Sequence, residues 1–331
     1  VIGVATRPPA RPFGARRIAA AVAVVAVAVL LVGSATTPAR AQSPTEGPLP
    51  VPFDISAGFQ ASLAPEIPPP GANDPNCRPT PQRPRPVVLV HPTFTTQALA
   101  WQAGAPLLRN AGYCVYTFTF GNVTGFPAMP IQGLGDIRAS GLVLQQVVDR
   151  ALAETGADAV DLVGHSQGGG ILADYYLTFL GGSEKVHTKV GISPSTGTRL
   201  SEIVYLRSLV PVLGPAVYGS LEHSTPALIQ QVVDSPLATE VYPRGPESIP
   251  GVRMYSIVSQ FDQIVTPFVR QFYSGDVTNI ELQAGCAEDL SEHVATLYSE
   301  RVWLHVLNAL APAEASPVPC FHVAPYAPWV R

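Results

Sequence analysis

The sequence predicts an α/β fold: a mostly parallel sheet with helices on both faces and an inserted helical cap. Three observations carry this prediction. Short runs of Val, Leu and Ile recur between residues 87 and 310 of the 331-residue chain. They are continuous rather than alternating with polar residues, as strands covered on both faces are. Stretches with helical spacing separate them, and such alternation builds a parallel sheet. Between residues 193 and 251 the alternation lapses over a length no ordinary loop needs, which marks the insertion.

Taken in order, Arg7, Arg11, Arg16 and Arg17 precede an apolar run at 18–32, and Ala39-Arg40-Ala41 follows. This basic, apolar, small-residue layout is that of a secretory signal peptide, expected to be cut after Ala41. The run is shorter than the ~20 residues a helix needs to cross a bilayer. Residues 42–86 are Pro-rich and are expected to form an extended arm, because proline lacks the helix donor. Val87–Val90 reads as the first strand, between Pro86 and Pro92. A helix at 101–110 ends before Gly112, and a strand at 115–118 follows. Ile137–Thr155 places Ile137, Leu144, Val147, Val148 and Leu152 near one helical face and stops at Gly156. Strands at 160–163, 189–192, 254–258 and 277–282 follow, with a helix at 171–180 and a terminal helix at 294–310. The body is thus expected over 87–320, with the cap around 193–251 and a tail at 321–331.

Composition narrows the partners. Lys and Arg number 20 against 24 acids, a net charge of −4, and five arginines but no acid fall within residues 1–41. Export would leave a body of charge −9. A Lys-poor, acidic body lacks what phosphate binding needs, so no nucleic-acid partner is expected. The four cysteines, Cys77, Cys114, Cys286 and Cys320, are an even count in an exported chain and read as two disulfides. Three pairings are open. Cys77–Cys114 and Cys286–Cys320 are favoured because each closes a local loop near one end of the chain. There is no C-x-x-C spacing, and no metal site is expected.

The chemistry concentrates at Val160-Asp161-Leu162-Val163-Gly164-His165-Ser166-Gln167-Gly168. An apolar run entering G-x-S-x-G, with a helix after it, is the layout of a nucleophile elbow. Gly164 and Gly168 flank Ser166 where a side chain would strike neighbouring backbone. A serine hydroxyl needs a base to take its proton and a carboxylate to hold that base. In the elbow-bearing fold these follow in the order Ser, acid, His, on loops after later strands. Asp262, just past the strand at 254–258, is the expected acid. Asp276 precedes its strand, and Asp289 lies close to the base in sequence. Among the histidines after Asp262, His293 sits on a loop before the terminal helix and is the expected base. His305 falls inside that helix and His322 in the tail. His187 and His223 precede the acid. His165 is expected to point away from the reacting face, and His91 to support the loop after the first strand. The tetrahedral oxyanion needs backbone donors. Gln167 N–H is the expected first donor and Thr93 N–H the second, with Phe94 N–H behind it, since Pro92 has no N–H.

At this point the motifs resemble a known family. Val88-Leu89-Val90-His91-Pro92-Thr93-Phe94, Gly112-Tyr113-Cys114-Val115, Gly164-His165-Ser166-Gln167-Gly168-Gly169, Phe261-Asp262-Gln263-Ile264-Val265-Thr266-Pro267 and Leu307-Asn308-Ala309-Leu310 together resemble the secreted bacterial class 2 lipases of the α/β-hydrolase superfamily. The likeness spans roughly residues 76–320. It implies an α/β-hydrolase fold and a triacylglycerol lipase or carboxylesterase with Ser166, Asp262 and His293 as its triad. It also favours the two local disulfides. One departure stands out: the family reads His-Gly-Thr where this chain has His91-Pro92-Thr93, and proline cannot adopt the positive φ open to glycine.

The expected activity is ester hydrolysis through an acyl-enzyme, without metal or organic cofactor. The substrate is a lipid or other carboxylic ester, with transient contact at a lipid interface and residues 209–213 lining an acyl pocket. Two rivals remain from the sequence: an acyltransferase using the same triad, and a non-catalytic binding protein on the same scaffold.

Overall fold

A computed structural model describes residues 47–197, 199 and 213–325, with backbone alone for 213–218. The expected signal peptide at 1–41, residues 209–212 of the expected pocket segment and residues 326–331 of the tail lie outside the described residues.

Among the described residues, six strands form one parallel sheet in the order β2-β1-β3-β4-β5-β6. They are β1 (Val87–Val90), β2 (Val115–Thr117), β3 (Val160–His165), β4 (Val186–Ile192), β5 (Arg253–Val258) and β6 (Val277–Glu281). All six expected strands are present. β4 begins three residues before the expected 189–192, because Val186 and Thr188 are buried while half-buried His187 between them interrupts any apolar run. Lys189 is 1% exposed, with its ammonium 2.9 Å from the Asp174 carboxylate and donating to Tyr273 Oη at 2.7 Å. A buried lysine with such partners is tolerated in a strand, but it breaks an apolar pattern.

The period-two geometry of the strands sorts their side chains into two cores. Val88, Val90, Val160 and Leu162 pack beneath helices Ile137–Thr155 and Ile171–Phe179. Val87, Leu89, Val163 and Ile257 face the opposite layer, which holds helices Gly104–Asn110 and Glu300–Leu310. Helix Ile137–Thr155 has the expected bounds. The Asp136 carboxylate accepts from Ala139 N at 2.9 Å, and Gly156 ends the helix at φ 69°.

Two helices differ from expectation for local reasons. The helix expected at 101–110 starts three residues late, and a separate short helix, Gln97–Ala100, capped by Thr96, precedes it. The next helix starts at Gly104, where a Cβ would lie 2.1 Å from the Trp303 ring. The terminal stretch divides into a 3-10 turn, Ala295–Leu297, and helix Glu300–Leu310, with extended Ser299 between them. The Glu292 carboxylate takes Val294 N–H and Ala295 N–H at 2.8 Å each, which closes the first turn directly onto the loop carrying His293.

The Pro-rich arm also contains a short helix, Ser56–Ala61, in a proline-free stretch. Ile55 just before it is 1% exposed and belongs to the second core. Between β4 and β5 lie helices Leu213–Ser224, Pro226–Gln230 and Pro236–Val241. The last two begin on proline, whose missing N–H costs nothing in a first turn. Tyr242, at the end of the third, donates to the buried Asp174 carboxylate at 2.6 Å and fastens this excursion to the helix Ile171–Phe179. Both favoured disulfides are formed, Cys77–Cys114 and Cys286–Cys320.

Candidate active site

The site lies at the carboxyl ends of the parallel strands, where chain reversals in such sheets leave a crevice. β3 ends at His165, and the chain then turns through a 3-10 turn, Ser166–Gly168, into helix Ile171–Phe179. Ser166 holds φ at 54°, the left-handed region that a non-glycine residue seldom adopts. The glycines around it make the turn sterically feasible. A Cβ on Gly164 would lie 2.2 Å from Gly168 O, and one on Gly168 would lie 2.2 Å from Val90 O. The elbow is thus wedged between the end of β1 and its own helix.

Asp262 and His293 come from loops remote in sequence and meet directly. His293 Nδ1–H donates to Asp262 Oδ2 at 2.6 Å, and both residues are 5% exposed. Asp262 is held on every side. Its Oδ1 accepts from Ile264 N at 2.9 Å and Val265 N at 2.8 Å, and Gln271 Nε2 donates to Oδ2 at 3.0 Å. Burial works to raise the Asp262 carboxyl. Beside it, His293 and the two backbone N–H groups outweigh burial and hold it below the usual carboxylate range. Ser166 and His293 line one cavity of about 420 Å³. No hydrogen bond joins Ser166 to His293 among the described residues; such contacts often tighten only when substrate is bound.

The cavity walls are otherwise mainly apolar: Phe94, Leu99, Leu228, Ile264, Val294 and Leu297. No charged side chain lines it among the described residues. Leu228 and Gln231 bring the 193–251 excursion into the wall.

Thr93 lines the cavity beside Ser166, and Gln167 is buried within the elbow turn. The loops carrying them are tied together by side chains. Thr93 Oγ1 donates to Gln167 Oε1 at 2.8 Å, and Gln231 Nε2 donates to Thr93 Oγ1 at 3.1 Å. The Pro92 departure resolves locally. The left-handed residue of this loop is Phe94, at φ 66°, and position 92 needs no positive φ. The Pro92 carbonyl is pinned by His91 Nδ1–H at 2.8 Å and by the Thr95 hydroxyl at 3.0 Å. His91 accepts Phe120 N–H on Nε2 at 3.2 Å and stacks on the Phe120 ring, so it braces the loop as expected. Burial lowers its pKa to about 4 and keeps it neutral.

The other candidates fall elsewhere. Asp276 is exposed at the start of β6, and His322 is exposed in the tail. Asp289 is buried in an ion pair with Arg301. His165 departs from expectation. It lines the cavity, and its ring lies edge-on to that of His293 with centroids 4.8 Å apart. Its side chain, expected to point away from the reacting face, is drawn to the cavity edge by the His293 carbonyl, 2.8 Å from its Nε2. Gln231, Gln271 and His165 were missed as site residues, and only His165 carried a signal, its adjacency to the elbow serine.

The profile of the alpha/beta hydrolase family matches residues 87–330. Among solved structures, Aspergillus fumigatus lipase B is similar at 21% identity and a TM-score of 0.54, covering 71% of this chain and 54% of that one. This chain therefore spans about half the length of that relative. A carboxylesterase of Nitrososphaera gargenis (14% identity, TM-score 0.45, 70% and 91% covered) and a pyrethroid hydrolase of Sphingobium faniae JZ-2 (18%, 0.44, 70% and 99%) are more distant. No curated protein matches the sequence.

Proposed function

Because the chain belongs to the alpha/beta hydrolase family, we propose that it is a serine ester hydrolase, a carboxylesterase or lipase of the class 2 type. The observation that carries this reading is the short His293–Asp262 contact opening onto the cavity that Ser166 shares. Ser166 Oγ attacks the acyl carbonyl while His293 Nε2 takes its proton. Asp262 orients the imidazole and stabilises the imidazolium. The backbone N–H groups of Gln167 and Thr93 receive the oxyanion. The tetrahedral species collapses, and the alcohol leaves with the proton from His293. Water then attacks the acyl-enzyme by the same relay, releasing the acid and restoring Ser166.

An uncharged, apolar wall suits neutral acyl groups. The excursion at 193–251 acts as a cap over the body at 87–320, and exposed Phe94, Ile264 and Val294 at the cavity give a lipid surface something to touch. Export after Ala41 fits two disulfides, which persist in oxidising compartments. Among the described residues no helix is long and apolar enough to cross a membrane.

The test is turnover of p-nitrophenyl butyrate and of emulsified triglyceride by the parent and by Ser166→Ala. The reading expects hydrolysis by the parent and its loss in a folded variant. Equal turnover by both would refute it. A competing alcohol in the assay separates hydrolysis from acyl transfer by the product formed.

A further inference from the structure

We propose that His165, the residue before the elbow serine, is a positioning residue that references the base to the nucleophile. This rests on the triad reading above and goes beyond it in naming what sets the distance between its two loops.

The Asp262 contact alone does not fix that distance. It grips His293 at Nδ1, and the imidazole can still pivot about this one hydrogen bond. Where Nε2 falls relative to Ser166 therefore depends on where the His293 backbone is held. Two donors hold its carbonyl: Thr296 Oγ1–H at 2.7 Å and His165 Nε2–H at 2.8 Å. They differ in kind. Thr296 lies three residues further along the same loop and moves with the base. His165 belongs to the elbow and is covalently joined to Ser166. It is the link by which a shift of either loop is felt by the other.

The local geometry suits this task. A carbonyl can only accept, so the proton of His165 sits on Nε2. Thr296 Oγ1, having given its own proton to the same carbonyl, lies 3.1 Å from that nitrogen and can accept from it as well. Ser193 Oγ is 3.1 Å from Thr296 Oγ1 and carries the contact on to the end of β4. His165 is 1% exposed, so it has no room to swing away. Its ring edge also packs against the base ring at 61°. Burial, and then the charge of His293, drives the His165 pKa down to about 3. The side chain therefore stays neutral while the base next to it gains a proton in each turnover. A phenylalanine here would supply the ring without the donor, and a glutamine the donor without the ring.

The experiment compares parent, His165→Phe and His165→Gln on p-nitrophenyl butyrate, with kcat, KM and a thermal melt for each. Loss of the donor misplaces the base rather than the substrate. His165→Phe is expected to lose about 10²-fold in kcat, the scale set by an ångström-level misplacement, with KM within about 2-fold. His165→Gln is expected to recover most of that loss. A folded His165→Phe with the parent's kcat overturns the proposal, as does a folded His165→Gln no better than His165→Phe. If His165→Phe does not fold, His165→Gln decides: near-parent kcat supports the donor role, and a folded but slow variant refutes it. A parent that turns over no ester at all refutes the triad reading instead.

Discussion

Acidification from pH 7 to pH 5 should destabilise this protein chiefly through two fully buried histidines, with a smaller share from partly buried His305, whose pKa burial lowers to about 4. His91 and His165 are 0% and 1% exposed, with pKa values lowered by burial to about 4 and about 3. In the unfolded chain each returns to about 6.5. Between the two values the unfolded state binds a proton that the folded state refuses, so stability falls as pH falls. Integrating the linkage from pH 7 to pH 5 gives about 2 kcal/mol per histidine, or about 4 kcal/mol for the pair. That is a large part of the 5–15 kcal/mol typical of a whole domain. Asp262 acts in a different window. Its depressed pKa contributes stability that is complete above the ordinary carboxylate value and is lost only as pH falls through the lower folded one, so it is silent between 7 and 5. The assay is urea unfolding at half-unit steps of pH, followed by tryptophan fluorescence. Removing either titration, by His91→Gln or His165→Gln, should cut the fall between pH 7 and pH 5 by about 2 kcal/mol whatever its effect on absolute stability, leaving the other buried ring and His305 to supply the rest. An unfolding free energy that is flat from pH 7 to pH 5, or a slope unchanged in both variants, would show that these rings are not buried neutral.

Three further substitutions probe separate links. Gly168→Ala puts a Cβ 2.2 Å from Val90 O, where neither backbone can yield cheaply. It should cost about 1–3 kcal/mol of overpacking and, by displacing Ser166, about 10²-fold in kcat. Asp262→Asn keeps the size of the side chain but presents the wrong hydrogen-bonding group to His293 Nδ1. It should fold and lose on the order of 10⁴-fold in kcat, measured beside an unchanged circular dichroism spectrum. Arg301→Ala strands the Asp289 carboxylate, buried at 0% exposure. Removing one partner of such a pair costs about 3–5 kcal/mol, readable as a lowered urea midpoint.

The sheet was legible because its central strands are buried on both faces and hold short apolar runs, as at Val87–Val90, while the partly exposed edge strand β6 was placed by its position in the alternation. Where polar residues occupy a strand, as at His187 and Thr188, the pattern fell silent and the start of β4 was placed three residues late. Helix bounds failed where tertiary contacts override local preference. Gly104 is drawn against Trp303, and Glu292 closes a turn that periodicity alone would have run through. The elbow was readable because its glycines are a steric necessity, and chain order pointed to Asp262 and His293, which the structure brings together. The groups that hold these residues were not readable. Gln271 reaches Asp262 from a 3-10 turn with no motif around it, and Gln231 reaches Thr93 across 138 positions. Long-range side-chain hydrogen bonds leave no period in a sequence.

The most direct measurement is covalent capture of the nucleophile. The purified enzyme, shown to be active, is treated with a serine-directed alkyl phosphonate and digested, and the adduct is located by mass spectrometry. One phosphonyl group per chain on Ser166, appearing in step with loss of ester hydrolysis, is the predicted result. Full inactivation with the adduct elsewhere, or undiminished activity on a chain labelled at Ser166, contradicts the account.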